Sequence, residues 1–66
     1  MKPRYKVYDI YDFYREFLSY CNTLAEVKEV VQKRREDTDD ECMCIYVELD
    51  PKTDKYKLSE SKIVFV

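Results

Sequence analysis

Sixty-six residues leave room for one domain, and a chain this short buries only about 60% of its unfolded surface, so its core is small and help from a partner is expected. With 45% apolar residues the composition is not that of a disordered chain, and a net charge of -2 disfavours generic binding to a nucleic acid backbone. Glycine and histidine are both absent, which excludes a glycine-rich phosphate loop and removes the usual general base and the commonest zinc ligand.

The apolar stretches are short and interrupted, so no membrane span is expected, and the N-terminus lacks the apolar run of a signal peptide. The expectation is a cytoplasmic protein, with three cysteines kept as thiols. After a polar lead containing Pro3, Tyr5 to Ile10 reads as a strand rich in Tyr, Val and Ile. Tyr11 to Cys21 fits two patterns. Ile10, Phe13, Tyr14, Phe17, Leu18 and Cys21 make a helical stripe, while Phe13, Phe17 and Cys21 also fit alternation. The helix start just beyond favours a strand from about Glu16 to Cys21, joined to the first by a turn around Asp12.

Thr23, Leu24, Ala25 and Glu26 form a capping box, in which the threonine hydroxyl accepts from the Glu26 amide and the glutamate reaches back to the amide of Thr23. The helix predicted from Thr23 to Arg35 has Leu24, Val27, Val30 and Val31 on one stripe, and Lys33, Arg34 and Arg35 in its last turn. Glu36 to Glu41 is an acidic connection. Met43, Ile45, Val47 and Leu49 then alternate with Cys42, Cys44, Tyr46 and Glu48, a strand whose first set is expected to face the helix. Asp50 to Asp54 is a turn, Lys55 to Leu58 a strand, Ser59 to Ser61 a bulge or bend, and Ile63 to Val66 a continuation of the pairing. The predicted fold is α+β, an antiparallel sheet of about four strands in the order ββαββ with one helix on one face.

One helix cannot cover both faces of the sheet, so the other face is the candidate site, expected to carry Cys42, Cys44 and Tyr46. Tyr5, Tyr8, Tyr11 and Tyr14 recur every third residue, as fillers of a small core, as an aromatic patch that covers a partner, or as stacking platforms for nucleic acid bases, the last disfavoured by the acidic balance. Glu36, Asp37, Asp39, Asp40 and Glu41 are either a solvated helix exit or a phosphate-mimicking ridge aimed at a basic groove. A calcium loop is disfavoured by the missing glycine, and a zinc site on Cys21, Cys42 and Cys44 by their spacing. No histidine is present to activate a thiol for catalysis.

A Tyr-rich opening at Tyr5 to Asp9, then Cys21, the Thr23 to Lys28 helix start and the closing Cys42 to Leu58 segment resemble short accessory proteins encoded by bacteriophages. The resemblance implies a protein that binds and inhibits a host protein, such as an immune component, in the host cytoplasm; it transfers no functional residue. The leading expectation is a non-enzymatic interaction protein that self-associates, binds a host protein, or does both. Tyr8, Tyr11 and Tyr46 would be its anchors, and Asp37, Asp39, Asp40 and Glu41 its acidic rim. The alternatives are a nucleic acid mimic centred on that rim and a dimeric nucleotide-binding sponge with a pocket lined by Tyr and Arg. Neither catalytic residues, nor a metal, nor a cofactor is expected.

Overall fold

The computed structural model describes residues 2–10, 14–38 and 43–64. Strands β1 (Tyr5–Ile10) and β2 (Arg15–Cys21) pair antiparallel, helix α1 (Leu24–Thr38) follows, and β3 (Met43–Asp50) returns antiparallel to β1. Two short strands, β4 (Lys55–Tyr56) and β5 (Lys62–Ile63), both pair with β3 on its other edge, with a single 3-10 turn, Leu58–Glu60, between them. The sheet order is β2-β1-β3-β4, with β5 beside β3, and the fold is α+β, the expected ββαββ order followed by the short fifth strand. Among the described residues no helix is long and apolar enough to cross a membrane.

The helix starts as its cap directs, with one change. The Glu26 amide donates to Thr23 Oγ1 at 3.2 Å, but the Glu26 carboxylate accepts from the Asn22 amide at 3.3 Å, one residue earlier than the box assigns. Val27 and Val31 are fully buried and Val30 is half-buried, whereas Leu24, assigned to the same stripe, is exposed. The helix also runs past Arg35 to Thr38, because Glu36 is a good helix former and neither glycine nor proline interrupts the turn. Glu36 and Asp37 are therefore exposed residues of the helix rather than of a connection.

The face that receives the helix is opposite to the expected one. The register sets Tyr5, Val7 and Asp9 beside Glu48, Tyr46 and Cys44, and the core cluster joins Tyr5, Val7, Cys21, Val27, Val31, Cys44 and Val64. Cys44 and Tyr46 thus lie under the helix, and Met43, Ile45 and Val47 point away from it. Both sets of β3 are apolar, so alternation alone does not choose between them. On the helix side Val27 and Val31 join Val7, Cys21 and Cys44 in one core cluster with Tyr5 and Val64. The second half of the chain also differs in detail. The strand expected to reach Leu58 ends at Tyr56, since Leu58 opens the 3-10 turn. Pairing resumes at Lys62, and the Val64 amide donates to the Cys44 carbonyl at 2.9 Å. The turn around Asp12 lies outside the described residues.

Candidate functional site: the helix-free sheet face

A bulge in β2 decides what this face carries. Val7 pairs with Ser19 but Tyr8 pairs with Phe17, so Leu18 is the extra residue, and it packs against the core cluster. Strict alternation would put Phe17 and Cys21 on one side and Tyr20 on the other. The inserted residue sends Cys21 to the helix side and brings Phe17 and Tyr20, three positions apart, together on the helix-free side. Their ring centroids are 4.9 Å apart, and Tyr8 meets Phe17 edge-on at 5.8 Å.

The row continues across the sheet to Tyr56, whose ring centroid is 6.3 Å from that of Tyr20. Tyr20 and Tyr56 stand on β2 and β4, with β1 and β3 between them; in a flat sheet that separation is about 14 Å. Curling of the sheet and inward leaning of both side chains close the gap. Lys6, on the intervening β1, is caught beneath: its ammonium is 4.6 Å from the Tyr56 centroid and 5.6 Å from that of Tyr20. Val47, opposite Lys6, is 0% exposed although the helix lies on the other side. The Tyr56 hydroxyl donates to the Pro3 carbonyl and fixes the ring, while burial pushes its ionisation above the usual tyrosine value.

Toward the other end of the face, Arg15 stands over the Tyr8 ring at 5.9 Å, and Ile10 lies opposite Met43. Every acidic residue of β1, β2 and β3, namely Asp9, Glu16, Glu48 and Asp50, registers on the helix side. The helix-free face therefore has an apolar centre with cations Lys6 and Arg15 near its two ends. Phe17, Tyr20, Met43 and Ile63 on it are each between 45 and 53% exposed.

Of the expected site residues, Tyr8 lies on this face. Tyr46 does not: its ring meets Tyr5 at 5.6 Å on the helix side, because its register partner is Val7. Asp37 is on the helix, exposed and apart from the aromatic row. Tyr11, Asp39, Asp40, Glu41 and Cys42 lie outside the described residues. Phe17, Tyr20, Tyr56 and Lys6 escaped the sequence reading because a bulge leaves no mark in hydrophobic alternation, and Tyr56 reaches the row only through the curl. Cys21 is buried among the core valines, where desolvation and the nearby Glu26 carboxylate push its thiol up, the reverse of an activated nucleophile. Among the described residues no cluster of His, Cys, Asp and Glu could hold a metal.

No protein-family model matches the chain, and comparison with curated proteins and with solved structures gives no match either.

Proposed function

We propose that the chain is a non-enzymatic interaction protein whose helix-free sheet face packs against a second copy of itself. The observation that carries this reading is the gathering of Phe17, Tyr20, Met43 and Ile63, four of the large exposed apolar side chains, on one side of the sheet. Cations near the ends of an apolar centre match the ordinary anatomy of a protein interface. The molecule measures 38 × 26 × 16 Å, so its broad side is wide enough for the roughly 800 Å² per partner of a stable complex. The upward-shifted, buried Cys21 thiol and the absence of histidine support a binding role rather than a catalytic one.

Sedimentation equilibrium tests this. The parent chain is expected to be dimeric at micromolar concentration, and Phe17→Asp to be monomeric. Leu24→Asp, which changes an equally exposed leucine at the helix start, should remain dimeric. A parent chain that is monomeric up to about 100 μM, a Kd that would leave the contact weaker than about 5.5 kcal/mol, overturns self-association. The face would then be open to a different protein, as the resemblance to phage accessory proteins implies.

A further inference from the structure

One end of the helix-free face is a cleft of about 460 Å³ lined by Lys2, Pro3, Lys6, Tyr20, Asp54, Lys55 and Tyr56. That volume is in the range of small-molecule sites. Three lysines and one aspartate line it, and the aspartate is already engaged: Lys2 Nζ is 3.3 Å from Asp54 Oδ2 and donates to the Asp54 carbonyl at 2.9 Å, while Lys55, opposite Asp50, reaches the cleft from its rim. Among the described residues no carboxylate lies within ion-pairing distance of Lys6 or Lys55. Lys6 is the telling group. It is half-buried and held over two tyrosine rings, and no hydrogen-bond acceptor among the described residues takes its ammonium protons. Its ammonium is open to water and without an anion, and so can take one. Directly beside it, Tyr20 offers a half-exposed ring, tilted 46° against the fixed ring of Tyr56.

We propose that this cleft binds a nucleotide unit, with a planar base stacked on Tyr20, its phosphate held by Lys6, and Lys55 adding positive charge at the rim. A bare anion would use the lysines and waste the ring, and an apolar ring would leave the cations unanswered. A base joined to a phosphate satisfies both, whether it comes as a free nucleotide or as one unit of a single strand. The net negative charge of the chain does not oppose this, because the acidic residues of the three long strands register on the helix side. The inference goes beyond self-association and needs the Tyr20 ring uncovered, so a nucleotide and a second copy compete for it and added nucleotide is expected to favour the monomer.

The test is an NMR titration of the isotopically labelled full chain with adenosine monophosphate, adenosine, inorganic phosphate and a ten-nucleotide single-stranded oligodeoxyadenylate. Saturable shifts with adenosine monophosphate are expected at Lys6, Tyr20, Lys55 and Tyr56, with weaker binding of adenosine and of phosphate. Lys6→Gln and Tyr20→Ala should each weaken the nucleotide about tenfold. Lys55→Gln, an exposed change that leaves the fold undisturbed, should weaken it as well, while Lys33→Gln, an equal charge loss on the helix, should not. Tighter binding of the oligonucleotide assigns the site to a single strand, and equal binding assigns it to a free nucleotide; both support the proposal. No saturable shift with either, phosphate binding as tightly as the nucleotide, or Lys6→Gln and Lys55→Gln both binding like the parent overturns it. Sedimentation of the same samples reports self-association separately.

Discussion

Asp9 is, among the described residues, the one charged side chain that is buried, and its exposure of 3% means that its partner matters more than its neighbours on the surface. Arg34 Nε lies 3.0 Å from Asp9 Oδ2, and the other arm of the guanidinium reaches Glu16 Oε2 at 2.7 Å. One arginine therefore ties the helix to β1 and β2. The two contacts differ in value because the Glu16 carboxylate is half in water and the Asp9 carboxylate is not. Arg34→Met, which keeps the aliphatic stem and removes the charge, is expected to cost about 2 to 3 kcal/mol in guanidinium unfolding, and Glu16→Gln less than about 1 kcal/mol. Equal costs would mean that the buried pair does not hold the helix down. None of this was legible in the sequence. Arg34 reads there as one of three cations at a helix end, and only the sheet register, which puts Asp9 on the helix side, reveals that it faces Asp9, twenty-five positions away.

At the scale of elements, the features readable in advance are those governed by local chemistry. The Thr23 cap, the Val27 and Val31 stripe, the alternating strand at Met43 to Asp50 and the turn at Asp50 are of this kind. Features that depend on which neighbour arrives are not, and the side of β3 chosen by the helix and the Leu18 bulge belong there. The Asp50 turn shows how much a local arrangement can hold. Its carbonyl accepts from the Asp54 amide at 2.8 Å, and its carboxylate accepts from the Lys52 amide at 2.9 Å and pairs with Lys57 at 3.0 Å. Asp54 turns the chain at φ 57°, a left-handed conformation that aspartate tolerates better than most residues. The Lys52 amide first, then Lys57, hold the Asp50 carboxyl below its ordinary value of 3.8. Between that value and the lower folded one, the unfolded turn binds more protons than the folded one. The contribution is thus present above 3.8 and lost as pH falls below it. NMR should show Asp50 titrating below 3.8, with the Lys52 amide shift following the same curve. Asp50→Asn should remove that acid step; an Asp50 titration at or above 3.8 would show that the turn does not favour the carboxylate.

For the whole molecule, the largest fully buried side chains are Val7, Val27, Val31, Val47, Cys21 and Cys44. A core of valines and cysteines is thin for a chain of this size, and the larger rings of Phe17 and Tyr20 stand half outside it. If a second copy covers those rings, association and folding are one equilibrium, and the apparent stability must depend on concentration. For a dimer that unfolds to two monomers, each tenfold increase in concentration adds about 1.4 kcal/mol per dimer. The melting temperature should then rise steadily from about 1 to 100 μM, the span over which mass action supplies about 2.7 kcal/mol. Phe17→Ser should melt lower and at the same temperature throughout. Its side chain is too exposed in the monomer for the change to cost much within one chain, so the loss of concentration dependence reports the contact between copies. A parent chain whose melting temperature ignores concentration would mean that the thin core suffices by itself and that nothing of its own kind covers the aromatic row.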